Sequence, residues 1–485
     1  MKIQSVGTGN RVLFTIAIVS IIAGTASGGC DPLPACGDGS EPDGLKCEAA
    51  TDAGSDAAGA SCEPDQGLTK PPSECGIFVS YTQGDDANAG TPEQPLRTLS
   101  AAISKAESTG SAIYACAEEF PVTKTIEIPS GTVIFGGYDC TKGWLDIANE
   151  IDEPSDMDAQ ADPRLTRVSA QKEGIIPIRL NAGAGKTRLR AFSISARDGL
   201  APSGSSIAVL VEGGHATLQK AVIRAGAGAA GAPGDALMGM ATSGVDGVPG
   251  SEACSGGLSV AGGAGGVLQC DGIVVSGGTG GTGGTTEGSK GERGKPLDQV
   301  SGNGGGGEFA LPCKNGVDGK DGAAGSEGAH ATSGGTIGMD GYTGVFGADA
   351  QRGAPGHGGG GGGGSKGGVG PGKCAVFAGG ASGGGGGSGG CGGAGGKGGG
   401  PGGSSIAIVS LGMGAGSGLG LFIDNAQLWV AMGGDGGLGG LGQSGGIGGL
   451  GAAGGQLPRA RLRCTRAAGV EPAEKAAAAV KGAGD

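Results

Sequence analysis

Ser205-Ser206-Ile207-Ala208-Val209-Leu210 returns far down the chain as Ser404-Ser405-Ile406-Ala407-Ile408-Val409. Each copy is followed by a glycine-containing gap and a second strand-like run, ATLQKAVIRAG at 216–226 and LFIDNAQLWVAMG at 421–433. Each second run passes straight into glycine-rich sequence. The simplest reading makes 205–225 and 404–432 successive rungs of one stack. Residues 226–403 are then a glycine-rich insertion between rungs, and 433–457 a shorter excursion from the same edge. Composition agrees: 119 of 485 residues are glycine, about three quarters of these lie between 221 and 460, and aromatics make up 3%. Glycine brings no side chain to a core and loses the most backbone freedom on folding. A conventional core is therefore expected only upstream of residue 221 and near 404–432.

Upstream, residues 78–109 predict a short strand, a turn-rich loop and a helix, the helix marked by Pro95 and the spacing Leu99, Ile103, Ala106. Eight short β-like runs follow: Ala112–Cys116, Thr125–Ile128, Thr132–Phe135, Thr166–Ala170, Ile175–Leu180, Leu189–Ser195, Ile207–Val211 and Thr217–Ile223. Many short strands at even spacing suit a sandwich, a barrel or a solenoid. A stacked solenoid is favoured, because it tolerates a long insertion on one face.

FVSYTQGDDANAGTPEQPLRTLSAAI at 78–103 resembles the N-terminal signature of secreted right-handed parallel β-helix proteins, the pectate-lyase-like superfamily. Gly136-Gly137-Tyr138 with Trp144 is similar to that family's early-rung segment, and the glycine-rich part resembles bacterial PGRS-type surface proteins. The resemblance implies an all-β chain, with rungs over 76–225 and 404–432 and a short capping helix at the N-terminal end.

The glycine-rich insertion is not collagen, which needs glycine at every third position without a break. The best run, Gly316, Gly319, Gly322, Gly325 and Gly328, is short, as is Gly341, Gly344 and Gly347. Two readings stay open. The region is a flexible solvated loop, or runs such as 358–364 and 383–400 form extended three-residue-per-turn helices. Such helices would bond side by side through their backbones, with disulfides as clips.

At the N-terminus, Lys2 and Arg11 precede a mostly apolar run, Val12 to Ala23, followed by small residues and Cys30. This run is too short to span a bilayer and suits the core of a signal peptide over 1–29. Cys30 resembles a bacterial lipoprotein cleavage site, which implies lipidation there and a membrane surface as partner, at the outer membrane or cell surface; cleavage near Gly28 is the alternative, giving a secreted chain. Residues 30–75 form an acidic, Cys-containing stalk, with ten acids against two lysines in 31–75. The Ala-rich tail, 458–485, is expected to be disordered. Removing Cys30 from the 13 cysteines leaves an even number, suited to an oxidising compartment. Local disulfide candidates are pairs among Cys36, Cys47, Cys62 and Cys75, then Cys116 with Cys140, Cys254 with Cys270, and Cys374 with Cys391.

A net charge of −13 argues against a nucleic-acid partner. Gly183-Ala184-Gly185-Lys186-Thr187 lacks the glycine that a phosphate loop requires at Leu180, so it is a turn. The acid run Asp146, Glu150, Asp152, Glu153, Asp156, Asp158 and Asp162 could bind a hard cation, but reads first as a solvated loop, and no metal site or cofactor is assigned. Arg188, Arg190, Arg197 and Asp198 are the one cluster a polysaccharide lyase or hydrolase could use, yet Arg188 and Arg190 alternate as on an ordinary outward-facing strand. His215, His330 and His357 suggest no triad, and no catalytic residue is assigned. The favoured expectation is a non-catalytic, structural or adhesive surface protein, with extracellular polysaccharide or a surface molecule as partner. The alternative is a polysaccharide lyase or glycoside hydrolase.

Overall fold

The structure is a computed structural model. It describes residues 2–5, 62–64, 69–151, 162–332, 334–338, 341–367, 377–412 and 420–456. The strands are β1 (Lys2–Ser5), β2 (Gly76–Val79), β3 (Ala112–Cys116), β4 (Glu119–Val122), β5 (Ile126–Ile128), β6 (Val133–Asp139), β7 (Leu145–Asp146), β8 (Thr166–Ala170), β9 (Ile178–Leu180), β10 (Lys186–Arg190), β11 (Phe192–Ser195), β12 (Ser206–Val211), β13 (His215–Gln219) and β14 (Val222–Arg224). In the glycine-rich region β15 (Ser259–Val260) pairs β18 (Gly283–Gly284), β16 (Val267–Cys270) pairs β17 (Ile273–Ser276), and β19 (Thr336–Gly338) pairs β20 (Gly341–Thr343), all antiparallel. The last strands are β21 (Ser405–Ser410), β22 (Gly420–Asp424) and β23 (Gln427–Val430). The one helix longer than a turn among the described residues is α1 (Leu99–Thr109).

The chain is all-β, built on three parallel sheets. Their orders are β1-β23-β14-β11-β8-β4, β2-β3-β6-β10-β13-β22 and β21-β12-β9-β5, with β7 added antiparallel to β6. From β4 onward the strands of these three sheets, β7 apart, visit the first, third and second sheet in constant rotation. The repeat at 205 and 404 is therefore a pair of neighbouring rungs. Ser206 to Val211 lie in parallel register on Ser405 to Ser410, and His215 to Gln219 on Gly420 to Asp424.

In-register stacking puts like residues into columns. Ile77, Ile113, Ile134, Leu189, Leu218 and Ile423 form one in the second sheet. Phe120, Val168, Ile194, Ile223 and Leu428 form one in the first. These side chains point into one core, and fully burying each contributes about 1.5–3 kcal/mol. Helix α1 closes the N-terminal end of that core with Leu99, Ala102, Ile103 and Ala106. Thr98 Oγ1 caps the helix by accepting from Ala101 N–H, and Gly110 ends it at φ 68°.

Two expected strands are each two. Leu189–Ser195 breaks at Ala191 (φ 60°) and Thr217–Ile223 at Lys220 (φ 50°), and Asn425 (φ 45°) occupies the same corner one rung later. A left-handed residue turns the chain sharply between sheets. Asparagine is a recognisable signal for it, whereas alanine and lysine are not. Strand β4 went unread because Pro121 interrupts its apolar pattern.

Arg190 corrects a second expectation. Its side chain does leave the core face, but it is 0% exposed, because residues 145–151 fold across it. Arg190 Nη2 lies 3.2 Å from Asp146 Oδ2, itself 0% exposed, and also donates to Asn149 Oδ1. Asp146 therefore belongs to a buried ion pair rather than a solvated acidic loop. Burial pushes its carboxyl above the usual carboxylate range, against the opposing pull of Arg190. The folded state holds this proton more tightly than the unfolded chain, so the contribution of Asp146 to stability falls as pH rises through the carboxylate range.

Asp146→Ala strands a buried guanidinium and is expected to cost about 3–5 kcal/mol in urea unfolding. The double variant Asp146→Leu/Arg190→Met is expected to lose much less; an equal loss in both would show that the pair is not the source.

Candidate functional surface

The glycine-rich insertion leaves the stack at the corner between the first and third sheets, and it is ordered through its backbone. Strands β14 and β23 pair in parallel, and the same register runs on past them. Ala225, Gly228, Gly231 and Gly234 donate their N–H groups to the carbonyls of Trp429, Met432, Asp435 and Leu438. Pairing has changed from the two-residue period of a strand to a three-residue period, that of extended polyproline-II geometry.

That period fills the region. Antiparallel to 434–455, segment 382–403 accepts N–H groups from Gly434, Gly437, Gly440, Gln443, Gly446, Gly449, Ala452 and Gly455. Segment 347–365 donates to 381–399 at Gly347, Ala350, Gly353, Gly356, Gly359, Gly362 and Ser365. The reading as side-by-side extended helices therefore holds over the flexible-loop reading.

Glycine content follows the number of neighbours. Residues 358–364, all glycine, are bonded by segments 278–284, 289–295, 305–308, 314–317 and 384–387, and none of the seven is exposed. A segment surrounded this way has no direction left for a side chain. A Cβ on Gly386 would collide with the Gly359 carbonyl, and one on Gly361 with that of Thr279. Segment 314–329 lies at the rim, bonded also to 302–306 at its start and facing only one side inward from Gly319 on. It carries glycine at every third position, 316 to 328, with the two residues between each pair exposed. From Gly319 the collagen-like run is a one-sided ladder against 348–357.

Disulfides correct two expected pairings. Cys270 bonds to Cys391, with Cα atoms 5.3 Å apart, so neither Cys254–Cys270 nor Cys374–Cys391 forms. Cys116–Cys140 forms as expected, and Cys62 pairs with Cys75. Cys254 and Cys313 are also disulfide-bonded. Cys30, Cys36, Cys47 and Cys374 lie outside the described residues, as do Val12 to Ala23 and the tail from 457. The end of the expected stalk belongs to the folded body. Tyr114 Oη donates to the Cys62 carbonyl at 2.6 Å, and burial pushes the phenol up to about 12, with the Glu63 charge adding to the shift.

Two clefts stand out among the described residues. One, about 580 Å³, lies between the Cys62–Cys75 bridge and the end of α1, lined by Glu63, Glu107, Ser130, Thr132, Val133 and Phe135. The other, about 330 Å³, lies where the array meets the stack, beside His330, Tyr342, Pro401 and Gly434. The arginine cluster is dispersed. Arg188 pairs with Glu63 at 3.0 Å and stacks over Phe135, Arg190 is buried, Arg197 Nε donates to the Ala170 carbonyl, and Asp198 accepts from Ala227 N–H. A set missed in the sequence lies on the third sheet's outer face, where Arg179 bridges Glu127 (3.6 Å) and Glu212 (3.4 Å) on adjacent rungs. Each of these charges lies in a separate run, so only the register brings them together. Asp162 pairs with Arg164, and 152–161 lie outside the described residues. His215 sits on β13, His330 beside the smaller cleft, and His357 Nδ1 is 2.9 Å from the Pro296 carbonyl. Among the described residues no three metal-ligating side chains gather, and no helix is long and apolar enough to cross a membrane.

No protein-family model matches the chain, and no curated protein or solved structure matches it.

The amides of Gly437, Gly440, Gly446 and Gly449 are expected to resist hydrogen exchange, while those of Leu438, Leu441 and Ile447, which have no hydrogen-bond acceptor among the described residues, exchange quickly. Uniformly fast exchange would refute the array. Gly386→Ala is expected to destabilise it by about 1–3 kcal/mol or more, and Ser326→Ala on the rim by less than about 0.5 kcal/mol.

Proposed function

We propose that the chain is an exported, lipid-anchored cell-surface protein with a structural or adhesive, non-catalytic role. Its parallel stack is a right-handed β-helix of the pectate-lyase-like kind, carrying a PGRS-like glycine array outward. Cys30 is the lipid attachment point, and the partners are the membrane surface and an extracellular polysaccharide or surface molecule, not nucleic acid. Signal cleavage would remove β1 and leave β23 as the edge of its sheet.

The supporting observation is how the array uses its residues. Its interior is backbone bonded to backbone, and its rim displays pairs of side chains at a repeat of about 9 Å, such as Lys320-Asp321 and Ser326-Glu327. A rigid surface of repeated short side chains suits many weak contacts with an extended partner.

One observation favours the enzyme reading. The Glu127–Arg179–Glu212 set places two carboxylates and an arginine on one sheet face. Those charges are spent on one another and line neither cleft. That arrangement suits a structural ladder better than a proton-transfer site.

Cys30→Ala is expected to abolish incorporation of radiolabelled palmitate and release the protein from the membrane fraction. Unchanged labelling would disprove the anchor. With acidic and neutral polysaccharides the protein is expected to give no new reducing ends. Cleavage that disappears in Glu127→Gln would replace the structural reading with the enzymatic one.

A further inference from the structure

Segment 432–456 lies on an outer edge of the array. Its backbone is bonded to 226–253 on one side and 382–403 on the other. Its third direction faces solvent, and every third residue points that way. The outward row is Met432, Asp435, Leu438, Leu441, Ser444, Ile447, Leu450, Ala453 and Gln456, all exposed. Leu438, Leu441, Ile447 and Leu450 are 41–60% exposed, and Met432 67%. Buried apolar side chains are what a folded chain normally selects, so a straight apolar row on a rigid edge calls for a partner.

The order of the row identifies that partner. About Ser444 it is nearly palindromic: Leu441 mirrors Ile447, and Leu438 mirrors Leu450. A two-fold axis through Ser444 would set Leu438, Leu441, Ile447 and Leu450 each against another large apolar residue on a second copy, as an isologous interface requires, with Met432 meeting Gln456 at the ends. Charge points the same way. The chain carries −13, and two copies can approach closely only along a neutral face. Asp435 is the one charged residue in the row, and it would face Ala453 of the other copy. The strip that the axis pairs, Met432 to Gln456, is about 74 Å long at ~3.1 Å per residue, so with a width of about 12 Å it covers roughly 890 Å² per copy, comparable with the ~800 Å² per partner of a stable interface.

We propose that this edge is a homodimer interface, in which two copies pack their 432–456 segments antiparallel about a two-fold axis at Ser444. The inference does not depend on export, anchoring or adhesion.

Sedimentation of the full chain tests it. The wild type is expected to be dimeric at micromolar concentration. Leu441→Asp/Leu450→Asp is expected to weaken the dimer by about 100-fold or more, with an unchanged circular dichroism spectrum, because both side chains are exposed. On a non-reducing gel, Ser444→Cys is expected to form a covalent dimer, and Leu258→Cys, 65% exposed elsewhere, is not. A wild type that stays monomeric overturns the proposal, as does a dimer that tolerates both aspartates. So does a monomer whose binding to polysaccharide or to anionic vesicles is lost in the double variant, which would give the edge to that partner instead.

Discussion

A backbone amide can donate to the carbonyl of a neighbouring extended segment only if the two main chains come within reach, and any side chain between them prevents it. Every other property of the glycine-rich region follows from that constraint. Where five segments crowd one, as around 358–364, every residue is glycine. Where a segment has neighbours on one side, one residue in three is enough. The composition that first suggests a chain unable to fold is the composition this packing demands.

The array also needs a starting register. A lone pair of extended glycine segments would lose more in conformational entropy than its hydrogen bonds return, since each ordered residue costs about 1–2 kcal/mol and each bond returns about 0.5–1.5 kcal/mol. The stack removes that difficulty. Strands β14 and β23 are already held in parallel by the aliphatic columns, and the bond series from Ala225 to Trp429 continues without a slip to Gly234 and Leu438. The previous rung contributes as well, with Gly199 donating to Ala227 and Ser203 to Ala230. Farther along, the register moves by one residue between Leu237 and Ala241, at Gly239 with φ 86°, and then holds to Gln456. The Cys270–Cys391 bridge ties the hairpin of β16 and β17 to segment 382–403.

Much of the stack was legible in the sequence, and the reason is periodicity. Parallel in-register strands repeat similar residues at similar places, so SSIAVL and SSIAIV announced neighbouring rungs. The corners at Ala191 and Lys220 were not legible, because neither residue type advertises a left-handed backbone. Nor was the burial of Arg190, which depends on a separate stretch, 145–151, lying over an outward face. For the array, composition alone left order and disorder equally open. A usable signal was nevertheless present in the triplet phase. Glycine at every third position in 316–328 and at every position in 358–364 marks a rim segment and a surrounded one, whereas a flexible linker has no reason to keep phase.

The same phase argument separates what the molecule can and cannot display. A surrounded segment offers no side chains, and a rim segment offers them at a fixed repeat of about 9 Å along its outer faces. Chemistry that needs several groups converging on one reacting atom is therefore hard to assemble on the array. Recognition of a long, regular partner is easy, because contacts recur in step along a straight edge. On the stack, outward residues of adjacent rungs also fall in columns, but there they answer one another: Arg179 with Glu127 and Glu212, and Arg188 with Gln219. The charged columns close on themselves. The outward row at 432–456, with its leucines and isoleucine in phase, has no such internal answer, and this in-phase apolar row lies on the glycine-rich part of the chain.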